Sequence, residues 1–152
     1  SNADWKKEWV DVTPDKLREQ RFKQLSSRAE TFYGTLDEPQ KAALRTFIAQ
    51  SSFDPQRTYA ERLRRQKDLV QVLQKIAEDR TNTDQARTLL RGYLDRFNTS
   101  PDAAHQRYAQ MLVEEGCEGF SQVHNAMTAA QRMKAVQSVK GYEQDFLLLA
   151  GR

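Results

Sequence analysis

The segment 36–48, LDEPQKAALRTFI, contains a helix start followed by a helical repeat, and it decides the fold class. Asp37 and Gln40 have the spacing of a capping box, in which two side chains satisfy free backbone N–H groups of the first turn. The apolar residues that follow recur at intervals of three and four: Leu44, Phe47 and Ile48. This interval is the period of one helix face, so the segment predicts an amphipathic helix.

The same pattern returns at 127–131 as MTAAQ, where Thr128 and Gln131 have the spacing of a second capping box. A weaker echo is VTPDK at 12–16. An aliphatic residue precedes both boxes, Leu36 in the first and Met127 in the second. We interpret these motifs as marks of helix starts, structural in role, and not as a shared ligand site.

Helical periodicity continues through almost the whole chain, with no convincing run of strand-like alternation. It predicts six helices, at roughly 14–33, 38–51, 55–79, 83–98, 101–124 and 129–149. The connections are short, which favours antiparallel neighbours. The predicted fold is therefore all-α, an antiparallel helical bundle of about six helices that forms a single domain over residues 4–152.

The N-terminal residues are interpreted separately from the bundle. Residues 1–3, Ser-Asn-Ala, resemble the remnant of a cleaved expression tag. Residues 4–12 are predicted to form an extended or irregular lead-in. Because exposed tryptophans are unusual, Trp5 and Trp9 are expected to dock on the bundle or on an upstream segment.

Composition argues against several classes of function. The net charge is +3, from 24 basic and 21 acidic residues, which is too balanced for a general nucleic-acid binder. No apolar run approaches the ~18 residues of a transmembrane helix. The single cysteine, Cys117, allows neither an intramolecular disulfide nor a cysteine-based metal site.

Residues with catalytic potential are few and scattered. His105 and His124 lie on one predicted helix, about 28 Å apart if it is straight, so they cannot share a metal ion there. Cys117 is interpreted as a small apolar residue near a helix crossing, and Gly116 and Gly119 beside it fit a kink, a close crossing or a break. There is no glycine-rich phosphate loop. We predict no enzyme activity, no catalytic or metal-binding residue and no cofactor.

The strongest charge cluster is the basic strip, which we define as residues 57–67, RTYAERLRRQK. Its basic residues are Arg57, Arg62, Arg64, Arg65 and Lys67. One interpretation is a solvated helix face, where Glu61 pairs with Arg57 and Arg65, and Arg64 pairs with Asp68. The alternative is a site for an anion or a partner, since arginine suits phosphate and carboxylate. Tyr59 stands alone, without the further aromatic platforms that single-stranded nucleic acid needs.

The LDEPQ and MTAAQ segments resemble the LTxxQ motif of the Spy family of periplasmic helical chaperones. LDEPQ departs from that motif at Asp37, and VTPDK departs at Lys16. Members of the Spy family are typically shorter and form thin, cradle-like dimers. The resemblance implies a chaperone-like role in the periplasm.

A broader resemblance is to an uncharacterised family of predicted proteobacterial lipoproteins, a helical domain of unknown function. It rests on the entry WVDVT at 9–13, on the central segments LDEPQKAALRTFIAQ and AERLRRQKDLVQVL, and on the ending MTAAQRMKAVQSVKGYEQDFLLLA. The last 25 residues carry the most specific part. This resemblance implies that the chain is the C-terminal portion of a longer precursor, anchored in a membrane through an upstream lipidated cysteine.

Two hypotheses follow. The first is a non-enzymatic helical domain of a periplasmic, membrane-anchored lipoprotein from a Gram-negative bacterium, which binds a protein partner or an unfolded client. The second is a cytoplasmic helical module that binds nucleic acid or another polyanion through the basic strip. The first is favoured, and the sequence leaves the oligomeric state and the client open.

Overall fold

The computed structural model describes residues 1–78 and 82–151, and within these ranges every regular element is a helix. A short helix α1 (Asn2–Trp5) continues into a π-helical turn (Lys6–Val10). Six longer helices follow: α2 (Pro14–Tyr33), α3 (Glu38–Gln50), α4 (Pro55–Glu78), α5 (Thr83–Asn98), α6 (Ala103–Asn125) and α7 (Ala129–Leu149). The all-α prediction is confirmed, and the six predicted helices correspond to α2–α7. The predicted end of the third helix, residue 79, lies outside the described residues.

The predicted irregular lead-in is wrong, because residues 2–10 are helical. Trp5 stacks on Trp9 and on Tyr59 of α4, with ring centroids 6.3 and 5.7 Å apart. The expectation that the tryptophans dock on the bundle is therefore confirmed for Trp5, on which Trp9 stacks in turn. Residues four positions apart lie on the same side of a helix, so the helical form brings Trp5 and Trp9 together.

The predicted helix starts are confirmed by the cap geometry. Asp37 with Gln40, and Thr128 with Gln131, each form a complete capping box. The Thr13 hydroxyl accepts from the N–H of Lys16, directly before Pro14 at the first helical position. The pattern therefore recurs because the first N–H groups of every helix need hydrogen-bond acceptors from outside the helix.

The chain divides into two compact units. Unit 1 comprises residues 1–11 and 52–113, and unit 2 comprises residues 12–51 and 114–152. Helix α6 contributes residues to both. Compact units need not be separate domains, so the single domain predicted for residues 4–152 stays a prediction.

Unit 2 has an apolar core, built where α2 packs on α3 and α7. Its buried members are Tyr33, Leu36, Leu44, Ile48, Val123 and Met127. Leu36 is only 2% exposed, and Met127 is nearly as deeply buried. The aliphatic residue that precedes each capping box is therefore a core residue, and this explains its place in the repeated motif.

Helix α6 runs unbroken through its glycines, so Gly116 and Gly119 do not end it. A Cβ at Gly119 would lie less than 3.0 Å from the Phe47 ring, whereas one at Gly116 would meet nothing within 4 Å. The expectation of a close helix approach is thus met at Gly119 alone. The interpretation of Cys117 as a packed residue is wrong. Two positions along a helix turn a side chain about 200° away, and Cys117 is exposed.

Unit 1 has a sparse apolar interior. Helix α4 packs on α5 and on the π-helical turn. Among the described residues of this unit, the buried hydrophobic side chains are Val72 and Tyr108. Two polar side chains, Glu61 and Ser100, are buried with them. The stability of unit 1 therefore depends more on polar contacts than that of unit 2.

Candidate functional site

Glu61 is the centre of the basic strip and is 7% exposed. Arg64 donates to both of its carboxylate oxygens, at 2.8 and 2.7 Å, and Arg65 donates to one at 3.0 Å. The Ser100 hydroxyl donates a further hydrogen bond at 3.2 Å. Burial raises the pKa of Glu61, but the hydrogen bonds from Arg64 and Arg65 outweigh it and hold this pKa at about 2. Glu61 therefore stays ionised at any physiological pH.

A second pair of charges joins α4 to α5. Arg96 donates to both carboxylate oxygens of Asp68, at 2.9 and 2.7 Å, and these bonds lower the pKa of Asp68. Arg64 lies 3.6 Å from the same carboxylate and donates to the backbone carbonyl of Arg96 at 2.8 Å. The bidentate geometry is the strong form of such a contact. Arg64 thus links Glu61, Asp68 and the end of α5.

The solvated-face interpretation of the strip is correct for two of its three ion pairs, and it is wrong about the exposure of Glu61. The predicted contacts Glu61–Arg65 and Arg64–Asp68 are present. Arg57 pairs instead with Asp54, at 3.4 Å. Because Glu61 is buried, the strip turns its central residues towards α5 and Ser100. The sequence pattern did not reveal this, since spacing along one helix does not show which face a neighbouring helix covers.

The remaining cations of the strip have no carboxylate partner among the described residues. Arg62 donates to the neutral side chain of Asn2 at 2.8 Å, and Lys67 is exposed. Asn2 belongs to the three residues that resemble a tag remnant. Arg62 therefore lies next to the buried Glu61 in the sequence, and its positive charge has no carboxylate partner among the described residues.

A cavity of about 500 Å³ lies within unit 1, between the N-terminal segment and α4, α5 and α6. Its walls include the aromatic residues Trp5, Tyr93, Phe97 and Tyr108, together with Arg62 and Arg65. The Arg65 guanidinium lies 4.3 Å from the centre of the Phe97 ring. Sequence reasoning found the arginines but missed the cavity, because its aromatic residues come from three separate helices, α1, α5 and α6.

In unit 2 the glutamines of the two capping boxes form hydrogen bonds with each other. The Gln40 side-chain amide donates to the Gln131 amide oxygen at 2.8 Å, and Gln131 donates back at 3.1 Å. Gln40 also donates to the carbonyl of Ala126, and Gln131 to that of Thr35, both at 3.0 Å. Each carbonyl lies directly before the aliphatic residue of the opposite motif. We call this reciprocal arrangement the glutamine lock. The sequence predicted both boxes but not their pairing.

Helix α7 carries the most exposed apolar residues. Residues 139–150 are exposed at every position. Phe146, Leu148 and Leu149 are 69%, 75% and 84% exposed, and Met133 is similarly accessible. Exposed large apolar side chains clustered on one element are typical of interaction surfaces.

The two histidines have separate surroundings. The His124 Nδ1 lies 2.8 Å from the Tyr33 hydroxyl in unit 2, and the His105 ring contacts Tyr108 in unit 1. Over residues 1–78 and 82–151, no group of three or more His, Cys, Asp or Glu side chains is arranged to hold a metal ion. The predicted lack of catalytic chemistry stays a prediction.

The described part of the chain is all-helical and divides into two compact units. Ion pairs link the helices of unit 1, and unit 2 has an apolar core. The chain belongs to DUF6279, a family of unknown function, whose sequence model matches residues 2–94. This match covers more than half of the chain, but it does not reach the ending on which the lipoprotein resemblance was most specific. No curated protein and no solved structure matches the chain significantly. Among the described helices, none has the length and apolar character needed to cross a bilayer.

Proposed function

We propose that the chain is a non-enzymatic helical domain of the bacterial cell envelope that holds apolar segments of unfolded client proteins on α7. The observation that carries this proposal is the exposure of the large apolar residues at 139–149. A monomeric domain normally buries such side chains, each of which contributes about 1.5–3 kcal/mol when fully buried. The envelope location is supported by the family resemblance on the WVDVT entry and the C-terminal segment.

The arrangement of these residues favours an unfolded client over one fixed helical partner. Phe146, Leu147, Leu148 and Leu149 are consecutive, so they point to all sides of the helix. A helix that docks into a single groove or seam presents one apolar stripe instead. An apolar surface on several sides suits contact with segments of varied sequence and direction.

A polyanion-binding module is the weaker proposal. Three of the five strip cations, Arg57, Arg64 and Arg65, form ion pairs with carboxylates of the chain. Nucleic acid would have to compete with those carboxylates for the same guanidinium groups.

The client proposal is tested by the aggregation of a chemically denatured model protein, diluted in the presence of the chain. We expect delayed aggregation, and we expect the delay to be lost when Phe146 and Leu148 are both replaced by Ser. Val70→Ser is the matched control, because Val70 is half-exposed in unit 1. No delay at several-fold molar excess, or an equal delay with the double variant, would overturn the proposal.

The envelope location needs a separate experiment with the full-length natural protein. We expect it in the membrane fraction of the cell, labelled by a lipid precursor at an upstream cysteine. Recovery in the cytoplasmic fraction alone would contradict this location and leave the client proposal to its own test.

A further inference from the structure

The cavity of unit 1 has the size and lining of a small-molecule site. Pockets for such ligands measure roughly 300–1,000 Å³ and combine mostly apolar walls with a few polar groups. Here the volume is about 500 Å³. Leu69, Ala109 and Leu112 complete the apolar part of the wall formed by the aromatic rings. The cavity is therefore a half-open groove that combines an apolar wall with polar and charged side chains.

The charges around the cavity favour an anion. Glu61 lines it, but both oxygens of its carboxylate already accept hydrogen bonds from Arg64, Arg65 and Ser100. Arg62 also lines the cavity, and its partner, the Asn2 amide, is neutral. One positive charge is thus left without compensation at the wall. An aromatic cage would otherwise suit a cation, but Arg62 and Arg65 would repel it.

We propose that this cavity binds a small amphipathic carboxylate, whose head group pairs with Arg62 and whose apolar part lies among Trp5, Tyr93 and Phe97. A guanidinium binds a carboxylate through two parallel hydrogen bonds, which gives both orientation and affinity. The aromatic walls shield the apolar part of the ligand from water. This site lies in unit 1 and is independent of the client surface on α7.

The test uses the whole chain with Trp9→Phe, so that Trp5 at the cavity wall is the one tryptophan left. Its fluorescence is followed during titration with dodecanoate below the micelle concentration. Dodecyltrimethylammonium supplies the same apolar chain with the opposite charge, and acetate supplies the head group alone. We expect a saturable change with dodecanoate, and binding at least tenfold weaker with either of the other two.

Variants then locate the site. Arg62→Gln should weaken dodecanoate binding about tenfold, the usual scale for a charge-assisted bond. Lys67→Gln removes the same charge from α4 without touching the cavity and should leave affinity within about twofold, since distant charges are screened. Ala109→Leu narrows the cavity at its apolar wall and should weaken dodecanoate binding, and circular dichroism would verify that the variant folds.

A last variant separates this site from α7, which is also apolar. Phe146→Ser should leave dodecanoate binding unchanged. Equal binding of the cationic and anionic probes would overturn the proposal, as would a loss with Phe146→Ser or full affinity in both Arg62→Gln and Ala109→Leu. Failure of this test would not affect the client proposal, which is measured with a protein and not with a detergent-like probe.

Discussion

Unit 1 and unit 2 are built from helices of similar length but are stabilised by different chemistry. In unit 1, Glu61 and Asp68 form ion pairs with arginines of α4 and α5, and few apolar side chains are buried. In unit 2, six apolar residues form the core, and the polar contact at its centre is the uncharged glutamine lock. Charged contacts respond to acid and salt, whereas an apolar core and neutral amides respond little.

The chain provides a way to observe the two units separately. Both tryptophans, Trp5 and Trp9, lie in unit 1, so their fluorescence reports on that unit. Far-ultraviolet circular dichroism reports the helices of both units. Comparing the two midpoints in one urea titration therefore shows which unit a substitution affects.

The largest effect is expected from Leu36→Ala in the core of unit 2. The change removes buried methyl groups and leaves a cavity, so it should destabilise the protein by about 2–5 kcal/mol. The circular dichroism midpoint should fall further than the fluorescence midpoint. Leu149→Ala makes the same chemical change at a residue that is 84% exposed and should cost less than about 0.5 kcal/mol. Similar losses for the two variants would contradict the assignment of Leu36 to the core.

The next effect is expected from Glu61→Gln in unit 1. It leaves Arg64 and Arg65 without their shared carboxylate, and it should cost about 3 kcal/mol. Here the fluorescence midpoint should fall at least as far as that of circular dichroism. Glu38→Gln is the control, because Glu38 is exposed and forms only a surface pair with Lys41.

The parent protein and the Glu61→Gln variant should differ in how their stability responds to acid. The pKa of Glu61 is about 2 in the folded state, against an ordinary value of 4.5. Its contribution is therefore fully present above pH 4.5 and is lost as the pH falls towards 2. The parent should lose stability steeply over this range by fluorescence, and Glu61→Gln should lose less. Parallel curves of stability against pH for the two proteins would show that Glu61 does not make the stability of unit 1 depend on pH.

The smallest effect is expected from a pair of glycine substitutions in α6. Gly119→Ala would gain up to about 1 kcal/mol in helix propensity but forces the Phe47 ring to move, which costs about 1–3 kcal/mol. Gly116→Ala has open space and should stabilise the protein by about 0.5–1 kcal/mol. Opposite shifts of the melting temperature would confirm the close contact, and shifts of equal sign and size would refute it.

The sequence predicted the features that depend on residues close together in the chain better than the contacts between distant residues. The helices, the caps at Asp37 and Thr128, and the ion pair between Glu61 and Arg65 all depend on residues within four positions of one another. The glutamine lock joins residues far apart in the chain, and the cavity gathers side chains from several elements. Such features depend on how helices pack, which the period of a single helix does not encode. The helical start of the chain was missed because Trp5 finds its partner, Tyr59, in a distant helix.

The glutamine lock also bears on the order in which the helices assemble as the chain emerges, N-terminus first, from the ribosome or from a channel in the membrane. Unit 2 is discontinuous in sequence, because residues 52–113 belong to unit 1. When Val113 has emerged, every residue of unit 1 is available, whereas Gln40 still lacks its partner. Domains generally fold as their residues emerge. We therefore expect the charge-linked helices to assemble first, while the buried motif at 36–40 waits, temporarily exposed, for Met127 and Gln131.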